Sequence, residues 1–286
     1  MHELVELLQQ AFQEWLDDKG ATLGAALAYY TLFSMAPVVL LFIGLAGLLL
    51  GQEDAQGRVV EMFRGLLGQE GGDAMQQIVN NASHEKTSSI WAAIFGGLMM
   101  LFGASMVFVE LQSSLNIVWG VLSKPESGVG GFIRTRVFSF GLFLSALFVL
   151  FVVLTLASYI VDAGAWLSAA LPAGEVVGHA LNFGLSLLIL SGLSATIFKV
   201  VPDVKIAWCD VWLGAFIAAL LLAVGKFLVQ VQFLTLHHDS PFGAAGSVVV
   251  LVVWVYYSAQ ILFFGAEITQ VYASRFGSYG ASSRES

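Results

Sequence analysis

Residues 244–272 read AAGSVVVLVVWVYYSAQILFFGAEITQVY, and Glu267 is the only charge among them. At 1.5 Å per helical residue this stretch exceeds the ~20 residues needed to cross about 30 Å of hydrocarbon. It shows no alternation of polar and apolar residues, the mark of a β-barrel span of about ten residues. It predicts a transmembrane helix. Working back along the chain, further apolar stretches of this kind occupy about 22–50, 90–119, 137–161, 179–201 and 211–234. The expected fold is an all-α integral membrane bundle of about six transmembrane helices.

Composition agrees. Of 286 residues, 58% are hydrophobic and 11% charged, and mean hydropathy is +0.83. A soluble domain carries roughly 25% charged residues, and a chain of this length has no core able to hide so much apolar surface. Lipid must cover it. The chain reads as a single membrane domain, 1–286, without a convincing internal repeat. Its amphipathic, acidic start is unlike the basic n-region of a cleavable signal peptide.

Orientation follows from Lys and Arg. Lys19, Lys124, Arg134, Arg136, Lys199, Lys205, Arg275 and Arg284 fall in the termini and the second and fourth loops. Arg58, Arg64 and Lys86 fall in the first loop, and Lys226 lies inside the fifth span. The positive-inside rule then puts the even loops and both termini in the cytoplasm.

Outside the spans, residues 1–19 place Leu4, Leu7, Leu8, Phe12, Trp15 and Leu16 on one helical face. Glu3, Glu6, Glu14 and Asp18 lie mostly opposite. This predicts an amphipathic interfacial helix packed under the bundle, since an acidic face is not drawn to anionic lipid. Residues 51–89 suggest two short amphipathic helices capping the extracytoplasmic face, and Ala165 to Leu171 a further interfacial turn. The lone Cys209 excludes an internal disulfide and reads as a small buried apolar residue.

Ionisable groups inside spans cost about 2.5–3.5 kcal/mol at bilayer centre, so they face a cavity or a partner. Glu110, followed by Gln112, Ser113, Ser114 and Asn116, sits toward the cytoplasmic end of the second span. Glu267, with Gln260 above it, occupies a matching depth in the sixth. The two carboxylates either line an inward-facing vestibule or pair with Arg134, Arg136, Lys199 or Lys205 to pin helix ends. Lys226, in the outer half of the fifth span, either snorkels outward or meets a buried acid or an anionic head group. Tyr29, Tyr30 and Ser34 bring hydroxyls into the first span, for interhelical bonds or substrate contact. Pro37 frees a backbone carbonyl there that Ser34 or Thr31 is placed to satisfy.

No catalytic signature is present: no P-loop, no G-x-S-x-G elbow and no H-E-x-x-H. His237-His238-Asp239 reads as a solvated turn, so no metal and no cofactor is expected. A net charge of −8 without a basic patch disfavours nucleic acid as a partner.

Four segments together resemble the YihY/virulence factor BrkB family of bacterial inner-membrane proteins. They are residues 25–37 (AALAYYTLFSMAP), 114–120 (SLNIVWG), Val201-Pro202-Asp203 leading to Trp208-Cys209-Asp210-Val211, and 243–267 from Gly243-Ala244-Ala245-Gly246-Ser247 to Phe264-Gly265-Ala266-Glu267. They run in the family's order and span nearly the whole chain. Cys209 departs from the pattern, where relatives tend to carry a basic residue. The resemblance implies a six-helix inner-membrane protein. Some relatives carry an old ribonuclease label, which the residues here do not support; others are linked to serum resistance and envelope lipids.

The resulting expectation is a transport or lipid-handling protein, not an enzyme, with a polar cytoplasm-facing cavity. Glu110, Asn116, Gln260 and Glu267 would line it, Tyr29, Tyr30 and Ser34 would lie deeper, and Pro37, Pro202, Asp203 and Asp210 would shape its mouth and frame. Its partners would be membrane lipids and a lipid or amphiphilic substrate. The competing class is a non-transporting structural or assembly protein of the envelope. The sequence sets no oligomeric state.

Overall fold

The computed structural model describes residues 2–84, 90–121, 141, 174–236 and 243–279. Seven α-helices lie among them, and no strand. They are α1 (His2–Asp17), α2 (Gly20–Leu50), α3 (Gln52–His84), α4 (Ile90–Val118), α5 (Gly174–Val200), α6 (Trp208–Leu236) and α7 (Gly243–Arg275). Of these, α5, α6 and α7 contain apolar windows long enough to cross a membrane: Phe183–Val200, Trp208–Gly225 and Leu251–Arg275. The expected first and second spans coincide with α2 and α4. The third, 137–161, and the turn expected at 165–171 lie outside the described residues.

α6 shows why such a helix belongs in lipid. Trp208, Trp212, Phe216, Leu220 and Val224 recur every fourth residue, and all are exposed. The opposite face carries Val211, Ala215, Ala218 and Ala219, all fully buried. Large apolar side chains outside and small ones inside invert the soluble pattern, and small residues let helix backbones approach closely. At Gly214 the approach to α7 is closest: an added Cβ would overlap the Gly265 carbonyl oxygen and Thr269 Oγ1. Conversely, a Cβ on Gly265 would lie 2.7 Å from that of Ala218. α7 is the hub, touching every other described helix.

Chain reversals follow local chemistry. Lys19 adopts φ 55 between α1 and α2, and the buried Gly20 beside it leaves room for the Trp15 indole. Gly51, at φ 90, ends α2. Gly120, at φ 62, closes α4 in a Schellman motif, with Val121 N donating to Asn116 O at 2.8 Å and Gly120 N to Ile117 O at 2.8 Å.

Several expectations are corrected. Residues 52–84 form one continuous 33-residue helix, not two short ones. The glycines at 68, 71 and 72 cost helix propensity of roughly 1 kcal/mol each, and tertiary packing overrides them. Ala55, Val59, Val60, Met75 and Val79 share one core with Met35, Val39 and Ile43 of α2. α3 therefore lies along the second half of α2. At Pro37, neither hydroxyl satisfies the freed carbonyl: Ser34 Oγ donates to Thr31 O at 3.2 Å and Thr31 Oγ1 to Leu27 O at 2.7 Å. Helical Ser and Thr reach back one turn, and the freed carbonyl is out of that reach. Pro37 itself fits against Gly103 of α4, where a Cβ would lie 2.9 Å from the ring. Cys209 is exposed, not buried, because the buried side of the first turn of α6 is taken by Asp210 and Val211.

Candidate functional site

At one end of the bundle the last turn of α4, the 201–207 loop, the start of α6 and the residues after α7 are tied into a knot. Pro202 lacks an N–H and cannot continue α5 as a hydrogen-bonded helix, so the chain turns there and presents Asp203. Asn116, 2% exposed, clasps it twice: Asn116 Nδ2 donates to Asp203 Oδ2 at 2.8 Å, and Asp203 N donates to Asn116 Oδ1 at 2.8 Å. Gln112, one turn earlier on α4, donates to both carboxylate oxygens at 3.1 and 3.2 Å. Asp210, in the first turn of α6, accepts from Ser278 N at 2.9 Å and from Ser278 Oγ at 2.7 Å. Ser278 Oγ in turn accepts from Ala207 N at 3.0 Å. Only glycine fits at 277, where a Cβ would lie 2.6 Å from the Asp210 carboxyl. Tyr279 packs edge-on against the buried Trp119 at 5.3 Å. Asp210 also places a negative charge at the positive end of the α6 dipole.

A second polar group lies between α1 and α7. Glu267 is 1% exposed, and neither of its carboxylate oxygens meets a hydrogen-bond donor among the described residues. Among the described residues the charges acting on it are those of Asp18 and Glu14, both acids. Asp18 comes within side-chain hydrogen-bonding range of Glu267, but two carboxylates are both acceptors and bond only if one holds a proton. Burial and the neighbouring Glu14 and Asp17 charges raise the Asp18 pKa above its usual 3.8. Around this pair the packing is apolar: Leu7 and Ala11 of α1 meet Ile268 and Val271 of α7, and Phe12 packs edge-on against Phe264 at 6.4 Å.

The structure thus groups the expected site residues differently from a single vestibule. Asn116, Asp203, Asp210 and Pro202 belong to the knot, where the two aspartates are bound to protein donors. Glu110 is half-buried beside Ser114 and is not among the charges acting on Glu267. Gln260 packs where α2 crosses α7, its Cγ 3.0 Å from the position a Cβ on Gly24 would take. Ser34 is buried. Tyr29, expected deep inside, is 59% exposed and packs on Tyr30 and Phe33 at 5.6 and 4.7 Å; residues 25, 29 and 33 form an outward face spaced by four. The Lys226 side chain and residues 237–239 lie outside the described residues.

Lys199 does not pin a carboxylate but donates to Ile206 O. No group of three or more His, Cys, Asp or Glu suited to a metal ion occurs among the described residues. The sequence reading missed Asp18, Glu14, Gln112 and Ser278. Glu14 and Asp18 were placed on the polar face of α1, yet they turn toward α7, because α1 packs through Leu7 and Ala11 while Leu4, Phe12 and Leu16 are about half exposed.

Comparison with known proteins places these features in a family. The sequence profile of virulence factor BrkB matches residues 11–286. The chain is similar to a Bacillus subtilis protein named ribonuclease-like YfkH, with 23% identity over 95% of this chain and 96% of that one. It is also similar to UPF0761 membrane proteins of Psychromonas ingrahamii and Vibrio parahaemolyticus. The first shows 25% identity over 85% of this chain and 79% of the relative, the second 27% over 85% and 74%. No solved structure matches. The chain belongs to the virulence factor BrkB family of membrane proteins.

Proposed function

We propose that this BrkB-family chain is a multi-pass inner-membrane protein of about six spans, with both termini in the cytoplasm, that transports or handles a lipid or amphiphile. The observation that carries the reading is Glu267: a carboxyl 1% exposed on an apolar, membrane-length helix, without a donor among the described residues. A group this costly to bury marks a pathway for ions or substrate more readily than a packing role, which an apolar residue fills without penalty. The Lys/Arg asymmetry supports the orientation. The ribonuclease-like name of the Bacillus relative is said of that protein; nothing in the residues of this chain supports RNA cleavage.

A non-transporting assembly role is the second reading. Its support is the knot, where Asn116 binds Asp203 and Ser278 binds Asp210, so that both aspartates are committed to protein donors. Reconstitution into liposomes with a fluorescent lipid or amphiphile, beside lipid profiling of a deletion strain, separates the two. Transport predicts flux that falls in Glu267→Gln while the protein stays folded. An assembly role predicts no flux and a deletion phenotype that follows substitutions in the knot.

A further inference from the structure

Glu267 brings a fully buried carboxyl on α7, without a donor among the described residues, up to the acidic end of α1, where Asp18 comes within side-chain hydrogen-bonding range. One turn on, Gln270 Oε1 is another buried acceptor without a donor among the described residues. Three acceptor oxygens therefore lie within two turns of α7, and the side chain that comes within hydrogen-bonding range of Glu267 is itself a carboxyl. Two carboxylates at this range, one of them fully buried, do not readily both ionise; they hold one proton between them or bind a cation. The described residues contain no group built for a metal ion. We propose that the Asp18–Glu267 carboxyl pair is a proton-binding site, and that the shared proton fastens α1 to the transmembrane helix α7.

The surroundings favour a proton. From α1, Glu14 and Asp17 add negative charge. Among the described residues, Arg275 of α7 donates to Gln10, and Lys19, just before α2, is exposed and not among the charges acting on either carboxyl. From α6, Asp210 is held by Ser278. Glu110 of α4 is not among the charges acting on Glu267. Leu7 and Ala11 are the only buried residues of α1, so the state of one proton beside them weighs on how firmly the helix stays seated. Burial and the neighbouring Glu14 and Asp17 charges raise the Asp18 pKa. Release of the proton leaves two repelling carboxylates and frees α1. This deepens the transport reading by naming the group that would couple α1 to the bundle, but it does not depend on flux.

The test uses the full chain in liposomes. Infrared spectroscopy at near-neutral pH is expected to show a protonated-carboxyl band that shifts in D₂O and disappears in both Asp18→Asn and Glu267→Gln. In a Cys209→Ser background, Ala11→Cys reports docking through thiol labelling, with exposed Gln13→Cys correcting for thiolate formation. Below the midpoint of the docked pair the corrected labelling rate should rise by up to about tenfold per pH unit and level off above it, the slope set by the one proton released on undocking. Glu267→Gln supplies an amide donor to Asp18 and should abolish that rise. The proposal is overturned if no band is present in the wild type, if the band survives both substitutions, or if Ala11→Cys labelling is independent of pH. Protection of Ala11→Cys by sodium but not by choline, without a carboxyl band, also overturns it in favour of a sodium site. Absent flux with the band intact counts against the transport reading alone.

Discussion

Replacing Asn116 tests whether the knot at the ends of α4, α5 and α7 holds these elements together. Asn116→Ala removes the 2.8 Å bond to Asp203 Oδ2 and the 2.8 Å bond from Asp203 N. The first is a hydrogen bond to a charge, contributing about 1.5–3 kcal/mol. The second contributes less, because Asp203 is exposed and its N–H regains water. Gln112 still holds the carboxylate at 3.1 and 3.2 Å, so no charge is stranded. The expected loss is roughly 2–3 kcal/mol. Asn116→Asp keeps the shape but turns the donor into a second carboxylate. Two such charges at 4 Å repel by about 4 kcal/mol at an effective dielectric of ~20, and outward movement of the exposed Asp203 relieves part of this. Asn116→Asp should therefore melt below Asn116→Ala at neutral pH and recover in acid. Adding Asp203→Asn to Asn116→Asp restores one donor and one acceptor with the roles exchanged, and should recover most of the loss. Thermal unfolding in detergent, followed by circular dichroism, measures all four proteins. Wild-type melting of Asn116→Ala, or a double variant no better than Asn116→Asp, would refute the reasoning.

Gly214→Val places a side chain into the Gly265 carbonyl and Thr269. Since backbone cannot yield as a side chain can, the cost should reach or exceed the ~1–3 kcal/mol typical of overpacking, read as a lower melting temperature; melting like the wild type would show that α6 and α7 are not so close. For Asp18, a raised folded-state pKa means the folded state binds the proton more tightly. The stability linked to it is complete below the unfolded value of 3.8 and is lost as pH rises through the raised value. Asp18→Asn should flatten that pH dependence of melting, and an unchanged slope would remove Asp18 from it. Topology is checked with cysteines in a Cys209→Ser background: Glu70→Cys should label from outside with an impermeant reagent and Gly128→Cys should not, and the opposite result reverses the orientation. Purified protein should leave RNA intact with or without divalent metal; cleavage abolished by a single substitution in this chain would falsify that expectation.

Much of the fold was legible because lipid imposes a one-dimensional rule. A span must be a run of apolar residues long enough to cross and internally hydrogen-bonded, and the helices α2, α4, α5, α6 and α7 start and end within a few residues of the apolar stretches; of these, α5, α6 and α7 hold windows of spanning length and composition. The continuous α3 was not legible, because its glycines argue for a break and only the core shared with α2 argues against it. The polar sites divide in the same way. That Glu267 is an anomaly follows from sequence, since a carboxylate in an apolar run is costly wherever it points. Its neighbour does not follow: Asp18 is 249 positions away along the chain, and periodicity put it on the wetted face of α1. The packing of Leu7 and Ala11 against Ile268 and Val271 fixes the rotation of α1, and that rotation turns two acids toward a third. Likewise Asp203 and Asp210 read as an open mouth until the turn at Pro202 and the hook at Gly277 brought Asn116 and Ser278 onto them. Sequence alone determined which segments are apolar and long enough to cross a membrane, because solvation acts on each residue independently. Only tertiary structure decided which polar groups meet, because pairing depends on helix rotation and on close approaches between segments far apart in the chain.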